Sequence, residues 1–245
     1  MIQTSDIQRP DPAIIERLWH VSAATAAGML HGLGIRNPHL QGPVAWTPGR
    51  KVVGSALTLQ FMPKREDLYN ESEYSDPERQ LHRHALYHTK PGDVVVVDAR
   101  GDMMSGVFGE MMLTFFKGRG GIGVVIDGCI RDYPNAKSLD LGMWLRGVTP
   151  NYHTQTNIYP HAVNIPIACG DVMVVPGDII LADDDGAVVI PAGLAGQIAD
   201  SAGERHEWEE FTKLRLSQGG HLRDYYPLSE ASKAEFEAWK RDQGH

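Results

Sequence analysis

Three short segments bounded by glycine or charge, and spaced by stretches of helical length, most constrain what this chain can fold into. They are GDVVVVDA (92–99), IGVVIDGCI (122–130) and MWLRGV (143–148). Continuous runs of valine and isoleucine a few residues long are what strands buried on both faces look like. Between the first two, Gly106 to Lys117 reads as a helix stopped by Gly118, Gly120 and Gly121. Between the second and third, Asp132 to Leu141 reads as a second helix, stopped by Gly142. Strand, helix, strand, helix, strand predicts a parallel layer covered by helices.

The flanks read differently. Residues 12–33 form one or two helices ending at Gly32 or Gly34, and Lys51 to Met62 alternates like a strand. Residues 64–90 are polar, a loop followed by a short helix. From 161 to 191, short apolar pieces alternate with Gly, Pro and Asp turns, which predicts short antiparallel strands. A charged helix follows over 192–216. The tail packs as a helix or lies on a neighbouring subunit. With no repeat and no linker, the expectation is one domain spanning 1–245. Its core covers about 14–195, and a C-terminal helical extension covers about 196–245.

A net charge of −8 and a pI near 5.7 argue against a protein that tracks nucleic-acid phosphates. The N-terminus lacks a basic stretch followed by an apolar one, and no run approaches the roughly 18 apolar residues of a membrane helix. A cytoplasmic protein that binds neither membrane nor nucleic acid is expected. Cys129 and Cys169 lie in strand-like runs and read as buried free thiols.

Ligands of open β/α layers sit beyond the carboxyl ends of the strands. Two connections here fit that rule. In DARGDMMSGVFGEMM (98–112), glycines let backbone approach a ligand, and the amides opening the next helix face outward. In Ile130-Arg131-Asp132, the guanidinium can grip a carboxylate or enolate as a fork, and the carboxylate can bind a hard cation such as Mg²⁺. Each residue also has a plain structural reading. Asp132 could cap its helix, Arg131 could pair with a surface acid, Glu110 could answer the helix dipole, and Gly106 and Gly109 could punctuate turns. Their joint arrival at strand ends points to a site.

The pattern Gly109-Glu110, twenty residues, Arg131-Asp132 resembles that of the RraA-like family. This family includes class II pyruvate aldolases acting on 4-hydroxy-4-methyl-2-oxoglutarate and 4-carboxy-4-hydroxy-2-oxoadipate. VVIDGCIRD (124–132) and PGDIILADDDGAVVIP (176–191) look like the family too. The resemblance implies an α/β fold of the swivelling β/β/α type, with a parallel β/α layer, a layer of short antiparallel strands, and helical N- and C-terminal extensions. It implies that Asp132 ligates Mg²⁺ or Mn²⁺ directly and Glu110 through water. Arg131 would bind the oxo and carboxylate oxygens and stabilise the enolate, and the amides of Met111 and Met112, after Gly109, would receive the carboxylate. The partner would be a small anionic oxo acid. The assembly would be a homotrimer or homohexamer with sites between subunits, and a neighbour would supply a water-activating acid, with Glu204, Glu207, Glu209 and Glu210 as candidates.

The expected function is a metal-dependent carbon–carbon lyase on a small 2-oxo acid, with oxaloacetate decarboxylation as a side reaction. Two alternatives stand beside it. Aldolases of the family carry an acid where this chain has Asn135, which favours a dehydratase or decarboxylase of a sugar-derived acid. The family also includes non-enzymatic regulators of ribonuclease E. Among other features, His82, His84 and His88 read as lining an entrance sooner than as metal ligands. Asp183-Asp184-Asp185-Gly186 reads as a hairpin turn. Arg100, beside Asp98 and Asp102, is a second possible grip on a dicarboxylate. His153 and His161 are unassigned.

Overall fold

The computed structural model describes residues 3–67, 69, 76–152 and 158–243. Two helices open it, α1 (Pro12–Leu18) and α2 (Ala23–Gly32). The break between them is a cap: the Ser22 hydroxyl accepts the Thr25 N–H at 3.0 Å. Then come β1 (Val44–Ala45), β2 (Val52–Pro63), α3 (Leu81–Tyr87), β3 (Val94–Gly106), α4 (Glu110–Gly118), β4 (Gly123–Ile130), α5 (Tyr133–Ala136) and β5 (Gly142–Val148). The strands β6 (Ile158–Val163), β7 (Ile167–Cys169), β8 (Val172–Val174), β9 (Ile179–Asp183) and β10 (Gly186–Ile190) follow. The helices α6 (Ala192–Ser217), α7 (Leu222–Tyr225) and α8 (Glu230–Asp242) complete it.

The strands β2, β3, β4 and β5 are parallel neighbours, as the alternation with helices requires. β1 adds antiparallel to β5, while β6 and β9 add antiparallel along different parts of β2, and β10 pairs with β9. The two ends of this eight-stranded order, β1 and β10, approach each other, so the mixed sheet nearly closes. β7 and β8 form a separate hairpin.

Strand parity sorts the core. Val95, Val97, Val124 and Ile126 face a layer containing Leu86 of α3 and Leu113 and Phe116 of α4. Their neighbours Val94, Val96 and Val125 face Ile167, Val174, Ile180 and Val189 of the antiparallel strands. On the far side of the β9–β10 pair, Ile179, Leu181, Val188 and Ile190 pack on Leu18, Leu30, Ile198 and Ala202. A strand buried on both faces needs apolar side chains at every position, which is why these runs show no alternation. Both cysteines are buried and free. Among the described residues, no helix is long and apolar enough to cross a membrane.

Two expectations are corrected. The helix expected from Gly106 begins only at Glu110, because Gly106 still belongs to β3, opposite Cys129 of β4, with its N–H bonded to the Asn151 carbonyl at 3.0 Å. Between the Val97–Ile126 and Gly106–Cys129 pairings, β3 uses far more residues than β4, and the surplus bulges out through Arg100 (φ 60) and Gly101 (φ 69). The helix expected over 132–141 is a single turn. Tyr133 is pinned by its hydroxyl to the Trp46 carbonyl at 2.6 Å, and Asp140, paired with Lys117 and Arg50, turns the chain at φ 57 toward β5.

An N-terminal segment straps α3 to the sheet. Arg9 clasps the buried Asp93 through Nε and Nη2 (2.9 and 2.7 Å), and Thr4 Oγ1 meets His88 Nε2 at 2.7 Å. Asp6 pairs with Arg9 at 3.0 Å and Lys90 at 2.9 Å. Burial pushes the Asp6 carboxyl up, but Lys90, the Ile7 N–H and Arg9 together hold it down at about 2, against 3.8 ordinarily. A lowered folded value makes the stabilisation present above 3.8 and lost as pH falls toward about 2. Asp6 is partly exposed and screened, so Asp6→Asn is expected to cost about 1 kcal/mol at neutral pH. In thermal melts, the gap to the parent protein closes as pH drops through that window. A gap independent of pH would show that the clamp is not ionic.

Candidate functional site

The expected residues converge at the carboxyl ends of β3 and β4. A cavity of 260 Å³ opens there, and Gly109, Met111, Met112, Arg131 and Asp132 all line it. The loops that carry them are stitched together by backbone. Val107 N–H bonds Cys129 O at 3.0 Å, and Arg131 N–H bonds Phe108 O at 2.9 Å. Gly109 is the point of closest approach. A Cβ there would stand 2.6 Å from Asp132 Oδ2 and 2.9 Å from Arg131 Nε, so no side chain fits without moving both.

Asp132 does not cap α5 with its carboxylate. It starts the helix through its carbonyl, which accepts from Asn135 and Ala136 at 3.1 and 3.0 Å, while its side chain makes no capping bond. The residue sits at φ 59, ψ 26, a left-handed conformation that costs a non-glycine residue free energy and that recurs at functional sites. This turn carries the carboxylate back toward α4. There Oδ2 accepts the Glu110 N–H at 3.3 Å and lies 3.5 Å from Arg131 Nε. The Asp132 side chain remains 42% exposed, so a ligand can still reach it.

Glu110 opens α4 without lining the cavity. Its carboxylate accepts from Asn135 Nδ2 at 2.9 Å, so the residue that departs from the aldolase pattern is the one holding Glu110. The first bond inside α4 runs from Leu113 N–H to Gly109 O at 3.1 Å. Among the described residues, the amides of Met111 and Met112 donate to no protein group, which leaves them as anion donors at the positive end of the helix.

Asp132 and Glu110 offer hard oxygen donors from adjoining turns. Among the described residues, no His, Cys, Asp or Glu group of three or more could hold a metal ion. Two carboxylates with room for water suit a cation that keeps much of its hydration, as Mg²⁺ and Mn²⁺ do, and not a zinc site built from His and Cys.

The histidines separate. His82 lines the cavity, whereas His84 Nε2 meets the Glu78 carbonyl at 2.7 Å and His88 is engaged by Thr4. They form no common ligand set. Arg100 is not among the lining residues. It sits on the bulge of β3, its N–H bonded to Asp98 at 3.1 Å, and burial pushes the Asp98 carboxyl above its ordinary value. Asp183-Asp184-Asp185-Gly186 forms the β9–β10 hairpin turn, in which Gly186 pairs with Asp183 and Asp183 Oδ1 accepts the Asp185 N–H at 3.0 Å. Asp183 and Asp184 also accept the N–H groups of Ala23 and Gly49, each at 2.8 Å. Glu204, Glu207, Glu209 and Glu210 lie on α6, and none lines the cavity. Glu209 accepts from Thr25 and Arg205. His161 lies 3.3 Å from the Tyr159 hydroxyl, and His153 falls outside the described residues.

Sequence reasoning missed Gln80, Arg83 and Tyr152, which also line the cavity. Tyr152 arrives because its backbone bridges to Gly106, and its ring lies 6.0 Å from the Arg131 guanidinium. No local pattern announces such a residue. A larger cavity of 920 Å³ lies between α2, α6 and α8. Its walls are mainly apolar, and its Arg205 is stacked 4.1 Å over Trp208, so size does not mark the chemistry here.

Residues 22–189 match the family model described as RraA-like, Aldolase/RraA. The chain belongs to the RraA-like family. Its solved relatives agree. RraAS2 of Streptomyces coelicolor, described as an unusual member of the RNase ES inhibitor RraA protein family, is 45% identical with a TM-score of 0.78, over 84% of this chain and 100% of that one. A Pseudomonas syringae protein shares the fold at 23% identity and a TM-score of 0.77, over 92% and 98% of the two chains. Among curated relatives, a Halalkalibacterium halodurans protein named "putative 4-hydroxy-4-methyl-2-oxoglutarate aldolase" is 37% identical over 54% of this chain. The match spans 62% of that relative, and a match to protein DlpA of Legionella pneumophila, 24% identical over 86% of this chain, spans 33%. The chain thus spans less than two thirds of these curated relatives.

Proposed function

We propose that this protein is a divalent-metal-dependent lyase that cleaves a carbon–carbon bond in a small 4-hydroxy-2-oxo acid. The observation that carries the reading is the Gly109 contact, which sets one carboxylate and one guanidinium side by side under the opening of a helix. The aldolase name of the Halalkalibacterium relative points the same way.

Arg131 forks onto the carboxylate and 2-oxo oxygens of the substrate, and the amides of Met111 and Met112 receive the remaining carboxylate oxygen. Asp132, with Glu110 acting through water, would hold Mg²⁺ or Mn²⁺, which supplies Lewis-acid polarisation of the oxo group. In the cleavage step the C4 hydroxyl loses its proton and becomes a carbonyl. The C3–C4 bonding pair passes to C3 and the oxo oxygen, and protonation at C3 releases pyruvate. Charge grows on the oxo oxygen, where Arg131 is already placed to meet it, so stabilisation rises toward the transition state. No lysine lies in either loop, in keeping with a route that needs no Schiff base. For the proton acceptor we favour an acid of α6 from a neighbouring subunit, which would put the site between subunits of a trimer or hexamer.

Oxaloacetate decarboxylation is the test, because loss of CO₂ leaves the same enolate. Turnover is expected with Mg²⁺ or Mn²⁺, is abolished by chelation and returns on adding metal. Arg131→Ala is expected to lower it by about 10³-fold. Turnover indifferent to chelation would overturn the reading. A second reading is favoured by the RraAS2 likeness: a regulator that binds an RNase E-type ribonuclease. Co-purification with such a ribonuclease, in a protein inert toward oxo acids, would shift the assignment there.

A further inference from the structure

We propose that Arg83 is the specificity-determining residue of this cavity, and that it selects substrates with a second anionic group at the end remote from the 2-oxo acid. The inference rests on the functional reading above for placing the 2-oxo end at Arg131. Arg83 comes from α3, a different element from those that carry the chemistry, and it lines the same 260 Å³ space as Arg131. Its Nε is shielded from solvent and has no hydrogen-bond partner. Among the described residues it forms no ion pair with a carboxylate, and its guanidinium hydrogen-bonds the Tyr87 hydroxyl, a neutral group. A guanidinium with a shielded, unused donor is an incomplete arrangement, and an anion completes it.

The charge balance agrees. Among the described residues the lining holds two guanidiniums, Arg83 and Arg131, against one carboxylate, Asp132, in a chain whose net charge is −8. Arg131 answers the first carboxylate of an oxo acid. Arg83 is left for the second. Gln80 and His82, from the same turn, supply further polar atoms beside it. Arg83 also borders a second cavity of 280 Å³ lined by Leu86, Met112 and Phe115, so the distal anion is read where polar lining gives way to apolar. A neutral tail would leave the shielded Nε of this half-buried guanidinium unanswered, which is how a site rejects the wrong ligand.

The test is binding, not turnover. Titration calorimetry in one Mg²⁺-containing buffer compares 2-oxoglutarate with 2-oxopentanoate, which lacks the second carboxylate. The parent protein is expected to bind 2-oxoglutarate at least about tenfold more tightly. Arg83→Gln is expected to erase that preference by weakening 2-oxoglutarate about ten- to a hundredfold, with little effect on 2-oxopentanoate. Arg83→Lys keeps the charge without the fork and retains part of it, and thermal melts check that both variants fold. No preference in the parent, binding of neither ligand, or a preference that survives Arg83→Gln each overturns the proposal. A preference that depends on Arg83 in a protein that cleaves no hydroxy-oxo acid would sink the lyase reading and leave this one standing.

Discussion

Asp132→Asn is expected to lower metal-dependent oxaloacetate decarboxylation by about 10³-fold while leaving the fold intact. Asparagine is the replacement that isolates charge. It tolerates the left-handed backbone found at φ 59, and its side-chain oxygen can still accept the Glu110 N–H. What it loses is the negative charge with which Asp132 would bind a hard cation. Asp132→Ala removes the acceptor as well and places a residue without polar compensation in a left-handed turn, adding about 1 kcal/mol of destabilisation. Steady-state rates at saturating Mg²⁺, read beside thermal melts, separate the two. An Asn variant with parental activity would show that this carboxylate serves the loop and not the reaction.

Gly109→Ala is the second large effect, and its cause is purely steric. The residue lies at φ −115, where any amino acid is comfortable, so a methyl group brings no backbone strain. It does bring a carbon within 2.6 Å of Asp132 Oδ2 and 2.9 Å of Arg131 Nε. Both groups must retreat, and a misplacement near an ångström costs about 10²-fold in rate. Melting temperature is expected to hold while kcat/KM falls, with KM rising as the Arg131 grip loosens. An alanine variant as active as its parent would mean that the two loops need not touch.

Much of this architecture was legible in the sequence. The parallel strands at 92–99, 122–130 and 143–148 were readable because burial on both faces makes a strand continuously apolar, and β7 to β10 because glycine and aspartate mark their turns. The Gly109, Glu110, Arg131 and Asp132 grouping was legible because open parallel layers place strand ends together. Helix lengths were not. Whether β3 ends at Ala99 or runs to Gly106 depends on hydrogen bonds to β4 and to Asn151, which lie far off in sequence. The one-turn α5 depends on tertiary ties of Tyr133 and Asp140 that no helical propensity records. Arg83 and Tyr152 were missed for the same reason: each enters the cavity from a segment whose own pattern is unremarked, brought there by packing. Of the three histidines read as lining an entrance, His82 lines the cavity, while the fold gives His84 and His88 partners elsewhere, a division that helical spacing does not record.

The strap of residues 4–9 across α3 has a consequence for how such a protein diversifies. The cavity is a seam between two independently anchored parts. One part, the ends of β3 and β4 with the opening of α4, is fixed by the sheet. The other, the seven-residue helix α3, is fixed by its own packing and by Arg9, Thr4 and Asp6. On the lyase reading, substitutions on α3 would alter which acid is admitted without disturbing Arg131 and Asp132 at the strand ends. Selection could then tune ligand choice along one short helix while the sheet-anchored half of the cavity is inherited whole.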